Sequence, residues 1–245
     1  MDAVDDVVEP ISVTTPRRVG RGVLAQWWRD LTFVHWAVEP AAVAGLLPAG
    51  TRPDVLGGAT YVGLVPFRMD RVRPFGGPAV PYFGSFCETN VRLYSVDAAG
   101  RRGVVFRSLD AARLVPALAG RLGFSLPYRW SSMSLRRDGD LLTYRCRTRW
   151  HHTESTLAVR TGPPIGRPTT LEQFLTARWG LHVSWHGRTL YVPNDHPQWP
   201  LHRATLLHLS DELAPAAGVP VSGEPVSVLF SPGVPARFGA PRRVR

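Results

Sequence analysis

Residues 86–96 read FCETNVRLYSV, and this stretch decides the fold. It combines aromatic and β-branched residues, which are typical of strands. Because successive side chains of a strand point to opposite sides, the even-numbered residues share one face. That face carries a carboxylate, an amide, a guanidinium and two aromatic rings, from Phe86, Glu88, Asn90, Arg92 and Tyr94. We predict a long strand over residues 82–96 with its chemically active groups on one side.

Similar stretches elsewhere in the chain predict a β-rich, mainly antiparallel α+β domain. Further strands are predicted over residues 26–39, 59–67, 104–109, 130–136, 141–150, 181–185, 189–192, 204–209 and 226–230. Short helices are predicted over residues 41–47, 111–122 and 170–179. Asp110 is predicted to cap the second helix, whose buried stripe would be Leu114, Leu118 and Leu122.

No linker or internal repeat divides the chain, so we predict one domain over residues 21–238. Residues 1–20 are predicted as a flexible arm and residues 239–245 as a basic tail. The N-terminus lacks the basic and apolar regions of a signal peptide, and no apolar run approaches the roughly 18 residues of a membrane span. The two cysteines, Cys87 and Cys146, are too few for a disulfide framework. We therefore expect a soluble, cytoplasmic protein with reduced thiols and no membrane span.

The basic residues limit the available chemistry. The chain has 245 residues and a formal net charge of +10, and its 29 Lys and Arg residues are all arginines. Without lysine, the protein cannot form a lysine imine, hold pyridoxal phosphate on a lysine or use a P-loop lysine. We expect no cofactor. A coding bias towards arginine explains the composition of the chain as a whole.

Neither the arginines nor the histidines form a recognisable motif. The arginines are spread along the chain without a nucleic-acid motif, so we expect no specific nucleic-acid partner. The histidine pairs lack a Glu or Cys ligand at metal-site spacing, so no metal site is predicted. These pairs are His151 with His152, His182 with His186, and His196 with His202.

The order of several short motifs resembles the DUF2071 or YqjF-like family, which in turn is similar to acetoacetate decarboxylase. With x for any residue, the motifs are LLPxG at 46–50, YxGxxPF at 61–67, ETNVRxY at 88–94, FxSLDA at 106–111, LPY at 126–128 and WPL at 199–201. They cover most of the chain. The resemblance implies a closed, cone-like antiparallel β-barrel with a ligand cavity inside and a few short helices packed outside.

The resemblance also implies where a site would lie. The decarboxylase pattern places a glutamate in the cavity, and Glu88 stands at the similar position. Its Schiff-base lysine follows a turn for which this chain has GFSLPYR at 123–129, so Tyr128 and Arg129 replace the lysines. Arginine is effectively never deprotonated and cannot serve as the amine nucleophile. Decarboxylation through an imine is therefore excluded even where the fold is shared.

Glu88, Tyr128 and Arg129 are the candidate catalytic residues. Inside a cavity, Glu88 would have a raised pKa and act as general acid or base; the alternative is an ion pair with Arg92 that closes the barrel end. Tyr128 would donate a hydrogen bond to a substrate oxygen, and Arg129 would hold a carboxylate or enolate. The alternative for these two is a turn residue and a surface arginine.

Five further residues are candidate substrate contacts. Asn90 and Arg92 lie on the predicted polar face of the long strand. Arg29 and His35 are six residues apart on the first predicted strand and would share a face. His35 suits a proton shuttle, although such a histidine is more often a core side chain. Trp130 is assigned to an aromatic cavity lining, which is equally typical of core packing.

Three functions stay open at this point. The first is an enzyme that acts on a carbonyl or enolisable compound by glutamate acid/base chemistry, of the lyase, isomerase or cyclase type. The second is a non-catalytic barrel that binds a hydrophobic or carboxylate-bearing small molecule. The third is a basic protein that binds nucleic acid or a membrane surface. A homodimer is compatible with such a barrel but is not required by the sequence.

Overall fold

A computed structural model describes residues 8–20, 22–82, 84–113 and 126–244. Within these ranges, the chain forms thirteen strands and three short helices. The strands are β1 (Leu24–Val38), β2 (Thr51–Pro53), β3 (Thr60–Pro74), β4 (Phe86–Asp97), β5 (Arg102–Ala111), β6 (Tyr128–Asp138), β7 (Leu141–Thr148), β8 (Glu154–Pro164), β9 (Gly180–Trp185), β10 (Arg188–Asp195), β11 (His202–Asp211), β12 (Ser227–Phe238) and β13 (Arg242–Arg243). The helices are α1 (Pro40–Ala44), α2 (Thr170–Thr176) and α3 (Leu213–Ala216).

The strands form one continuous sheet that closes on itself twice. Nine strands close a ring in the order β1-β3-β4-β5-β6-β7-β8-β11-β12, and β12 pairs back with β1. A seven-stranded ring, β1-β3-β4-β5-β9-β10-β12, also closes because β9 pairs with β5 and β10 pairs with β12. Five strands are therefore common to both rings. The pairings are antiparallel except β5–β6 and β5–β9. The predicted β-rich fold with a closed barrel is confirmed.

The nine-stranded ring is filled by apolar side chains. Each of its strands contributes, and representative members are Val34, Leu64, Val91, Leu142, Leu157 and Phe230. Helix α3 adds Leu213 and Ala214, both fully buried, to the same cluster. Because each large buried apolar side chain contributes about 1.5–3 kcal/mol, this ring holds the main stabilising core.

Helix α2 covers one end of the seven-stranded ring. It begins with a capping box in which Thr169 and Glu172 exchange side-chain to backbone hydrogen bonds. Its Phe174 and Leu175 are buried in a cluster with residues of β3, β4, β5, β9 and β10. The helix ends at Thr176, earlier than predicted, and the chain that follows reaches the interior of the ring.

The predicted second helix does not begin where expected. Asp110 and Ala111 belong to β5, and Asp110 is fully buried instead of capping a helix. Its carboxylate accepts hydrogen bonds from Arg129 and Ser131, at 2.8 and 2.9 Å. The predicted stripe of Leu114, Leu118 and Leu122 lies outside the described residues.

Strand β1 changes face at Asp30. This residue has a φ of +50°, and the register between β1 and β3 shifts between Arg29 and Val34. Trp28 and Leu31 therefore face the same interior although they are three residues apart. Arg29 points outwards, so the prediction that it shares a face with His35 is wrong. The two-residue period holds only along an uninterrupted strand.

The chain ends lie against the barrel where the structure describes them. In the predicted arm, Arg17 pairs with Glu9, and the Ser12 carbonyl accepts a 2.9 Å hydrogen bond from Trp179. In the predicted tail, β13 pairs with β10. No helix in the described ranges has the length and apolar character needed to cross a bilayer.

We expect Gly180→Ala to destabilise the protein by about 1–3 kcal/mol, the usual effect of overpacking a core. A methyl group at this position would overlap the ring of Tyr191, which is fully buried and hydrogen-bonded to Trp179. Gly45→Ala is the matched control because no atom lies within 4 Å of its added methyl group. Urea unfolding of both variants measures the difference, and equal stabilities would contradict this account of β9.

Candidate active site in the seven-stranded ring

The seven-stranded ring encloses a cavity of about 150 Å³. All seven strands contribute side chains to its lining, together with Tyr128 and residues of the 176–178 and 196–199 segments. The lining is mainly apolar. An apolar cavity of about this size in another protein binds benzene, so this cavity suits a ligand built on about one six-membered ring.

Glu88 is the carboxylate of this cavity, as predicted from the face of β4 on which it lies. Its side chain is 3% exposed, and Oε2 accepts a 3.2 Å hydrogen bond from the Tyr128 hydroxyl. Oε1 has no hydrogen-bond partner among the described residues and stays accessible from the cavity. A single fixed hydrogen bond thus orients the carboxyl group and leaves one oxygen for a ligand.

Burial dominates the electrostatics of Glu88. Desolvation raises its pKa to about 8, helped by the negative charge of Asp110 and opposed by the Tyr128 hydrogen bond. Burial, followed by the nearby Glu88, raises the pKa of Tyr128 well above its usual range. Near neutral pH, Glu88 is therefore mostly a neutral acid, with a minor fraction of carboxylate.

Arg92 lies on the same face of β4 and lines the same cavity. It forms no ion pair with Glu88; its Nε donates to the Tyr94 hydroxyl at 3.1 Å and its Nη2 to the Leu175 carbonyl at 3.0 Å. Within the described ranges, Nη1 has no acceptor, and the guanidinium has no carboxylate partner. The ion pair considered from the sequence is thus replaced by a cation that faces the cavity.

Arg178 contributes a second guanidinium to the lining. Its charge is balanced by Asp54, which also pairs with Arg102, and its Nε donates to the Phe174 carbonyl at 2.7 Å. Asn90 lies between Glu88 and Arg92 on β4, and its Oδ1 is buried without a described hydrogen-bond partner. The polar part of the cavity therefore carries more positive than negative charge near neutral pH.

Aromatic side chains form another part of the lining. Trp28 stacks on Trp199 with centroids 5.7 Å apart, and Phe33 meets Trp199 edge-on at 5.2 Å. Phe238 and His196 contact Trp28 at 5.8 and 5.9 Å. Burial lowers the pKa of His196 to about 4, so this ring is neutral. We call these five residues the aromatic wall.

Four predicted site residues lie outside the cavity lining. Arg29 pairs with Asp70 at the surface, at 3.1 Å. Arg129 pairs with Asp110 across neighbouring strands, at 2.8 Å. Trp130 packs against Trp150, with Arg149 over its ring.

The fourth, His35, is fully buried behind the lining, 2.6 Å from the Tyr94 hydroxyl. Burial, with the nearby Arg92 and Arg178, lowers its pKa well below the usual value. A neutral histidine that holds Tyr94 has a structural role, which was the alternative considered from the sequence.

A Ser-His-Asp arrangement also occurs in the core. His182 Nδ1 is 2.8 Å from Ser95 Oγ, and its Nε2 is 3.2 Å from Asp97 Oδ2. All three side chains are at most 2% exposed, and they do not line the cavity. The arrangement therefore has no access to a substrate and acts as a buried structural network.

The two cysteine thiols are not activated. Burial raises the pKa of both thiols, of Cys87 and Cys146, so neither is an activated nucleophile. Across the described ranges, no three His, Cys, Asp or Glu side chains are grouped to hold a metal ion.

The lining residues that sequence reasoning missed include Arg178, Asn194, His196 and Trp199. They lie more than 80 residues after β4 and reach it only through the closure of the ring. The WPL motif at 199–201 marked one of them, but the motif carried no chemical role. His196 was weighed only as a metal ligand.

Comparison with known proteins agrees with this fold. The model of the DUF2071 family, described as an uncharacterized conserved protein, matches residues 25–235. The uncharacterized protein YqjF of Bacillus subtilis is 29% identical over 190 residues, which cover 76% of this chain and 77% of YqjF.

Solved structures share the fold at low sequence identity. An acetoacetate decarboxylase-like enzyme from Sphingomonas wittichii is 15% identical, with a TM-score of 0.65 over 91% of this chain and 93% of its own. The enduracididine biosynthesis enzyme MppR, in complex with pyruvate, is 14% identical, with a TM-score of 0.62 over 91% and 90%. Because the family model matches most of the chain, this protein belongs to the DUF2071 family.

Proposed function

We propose that this protein is a small-molecule enzyme that acts on a carbonyl or enolisable compound, with Glu88 as its acid/base group. One observation carries the proposal: Glu88 is buried at the wall of a ligand-sized cavity, with one oxygen held by Tyr128 and the other free. Buried carboxyl groups with raised pKa values are typical of proton-transfer sites. The fold shared with an acetoacetate decarboxylase-like enzyme and with MppR is compatible with this proposal.

The proposed step is enolisation. The Glu88 carboxylate removes a proton from the carbon next to the carbonyl group, and the electron pair of that C–H bond moves to form the enolate. Tyr128 keeps Oε2 in place, so Oε1 accepts the proton. Positive charge from Arg92 stabilises the enolate or an anionic group of the substrate. Return of the proton at another atom gives isomerisation, and loss of a leaving group gives a lyase reaction.

This route needs no amine. The chain contains no lysine, and Tyr128 occupies the position at which the decarboxylase resemblance expects one. A tyrosine whose pKa is raised well above its usual range stays protonated and donates a hydrogen bond. The proposed chemistry therefore replaces imine activation with charge and hydrogen bonding.

A thermal measurement tests the Glu88 titration without any substrate. A raised folded-state pKa contributes stability that is fully present below the ordinary value of 4.5 and is lost as pH rises through about 8. We expect the Tm of Glu88→Gln minus that of the wild type to increase between pH 5 and pH 8.5. Glu154→Gln, at a position 60% exposed, should show a flat difference. A flat difference for Glu88→Gln as well would contradict the assigned titration.

Deuterium exchange tests the proposed function. The protein is incubated in D₂O with small 2-oxo acids and ketones, beginning with pyruvate, and loss of the α-proton signal is followed by NMR. We expect catalysed exchange, and a fall of about 10²–10⁴-fold in Glu88→Gln, the usual contribution of a general base. Glu154→Gln should retain the wild-type rate. Compounds that bind without any exchange above the buffer rate would instead indicate a non-catalytic binding barrel.

The pH profile of Tyr128→Phe is a further test. As the base is the carboxylate, the exchange rate should rise with pH towards a plateau above about pH 8. Loss of the Tyr128 hydrogen bond, about 0.5–1.5 kcal/mol, should move the midpoint up by about 0.4–1 pH unit. An unchanged midpoint, or a rate that falls with pH, would exclude Glu88 as the base.

A further inference from the structure

We infer that the ligand of the seven-stranded ring is a small aromatic carboxylate: a ring that packs on the aromatic wall, with an anionic group bound by Arg92. As a statement about the substrate, this inference rests on the proposed function. As a statement about what the cavity binds, it stands on the lining alone.

The aromatic wall is the reason for expecting an aromatic ring in the ligand. Its members contact one another in a continuous series at centroid distances between 4.9 and 5.9 Å, and Trp28 and Trp199 are nearly parallel, at 12°. Aromatic pairs contribute more than their buried area alone. A flat aromatic ligand can thus make more favourable contacts with this wall than a saturated ligand of equal size.

The strand order places Phe238 of this wall away from β4. Around the seven-stranded ring, β4 is separated from β12 by two strands on one side and three on the other. Phe238 of β12 and Asn90 of β4 both line the cavity. A ligand in the cavity can therefore contact both the aromatic wall and the polar groups of β4.

Arg92 accounts for the anionic group. Its guanidinium carbon lies 5.5 Å from the centroid of Phe33, which places the charge at the edge of the aromatic wall. Arg92 lines the cavity, and its Nε and Nη2 donate to Tyr94 and Leu175, while Nη1 has no acceptor among the described residues. A buried cation without a counter-ion is unfavourable, and a ligand carboxylate supplies a charge-assisted partner.

Glu88 does not compete for this cation. It is mostly neutral near pH 7. Arg92 lies four positions further along β4, about 13 Å away between Cα atoms at the usual rise. The two groups thus serve two ends of a ligand. The carboxylate binds at Arg92, and the carbon that exchanges its proton lies towards Glu88.

Three probes of similar size separate the elements of this inference by calorimetric titration at pH 7. Benzoate has the ring and the charge, cyclohexanecarboxylate has the charge without the aromatic face, and benzyl alcohol has the ring without the charge. We expect benzoate to bind about 3–10-fold more tightly than cyclohexanecarboxylate, and about 10–100-fold more tightly than benzyl alcohol. Equal affinity for the two acids would overturn the aromatic class, and equal affinity for benzoate and benzyl alcohol would overturn the anion site. Failure of all three to bind would overturn both.

Two tryptophan variants locate the binding. Trp28→Leu should weaken benzoate about 3–10-fold and leave cyclohexanecarboxylate nearly unchanged. Trp150→Leu, at a ring 62% exposed and outside the lining, should change neither affinity. Loss of benzoate binding in Trp150→Leu alone would place the site elsewhere. If Trp28→Leu does not fold, the three-probe comparison on the wild type still decides the inference.

The same titration on Glu88→Gln separates this inference from the proposed function. The amide resembles the neutral acid, so we expect benzoate affinity within about 3-fold of the wild type although proton exchange is lost. Benzoate binding without exchange of any carbonyl compound by the wild type would support the ligand class and reject the enzyme. Proton exchange without benzoate binding would support the enzyme and reject the proposed ligand class.

Discussion

Strand β4 is buried on both of its faces, and the rest of the structure depends on this constraint. A strand of a two-layer β protein normally has one face in the core and one in water. Here the odd-numbered Val91 and Leu93 pack in the core of the nine-stranded ring, while the even-numbered Glu88, Asn90 and Arg92 face the seven-stranded ring. Polar groups on a strand with no solvent face need an enclosed polar environment. The polar part of the cavity in the second ring supplies it.

The same enclosure explains the chemistry of the site. A carboxyl group on an outer strand face would titrate near its ordinary pKa, whereas burial raises that of Glu88 to about 8. The guanidinium of Arg92 gains in influence for the same reason, because charges act more strongly away from water. Closure of the seven-stranded ring relies on few backbone pairs, at Val104 with Leu181 and at Asn194 and Asp195 with β12. The properties of the site thus depend on these few backbone pairs.

The sequence predicts the parts of this arrangement that follow from local periodicity. The alternation along residues 86–96 places Glu88, Asn90 and Arg92 on one face, and the structure has them together in the cavity lining. Where local geometry is irregular, the same rule misleads: the positive φ of Asp30 reverses the faces of β1 and turns Arg29 outwards. Asp110 looks like a helix cap by residue type, but its partner Arg129 is brought to it by a parallel strand pairing. Contacts of this kind, like those of Arg178 and His196, depend on ring closure between distant segments.

The five strands common to both rings separate side chains that affect folding stability from side chains that line the cavity. The odd-numbered Val91 and Leu93 of β4 belong to the nine-stranded core, so their replacement alters folding stability. The even-numbered Glu88, Asn90 and Arg92 face the cavity, so their replacement changes its lining without opening the main core. Replacements at alternate positions of this one strand are thus expected to act on different properties of the protein. Because the chain has no lysine, any such change of the cavity starts from its carboxyl, phenol, amide and guanidinium groups.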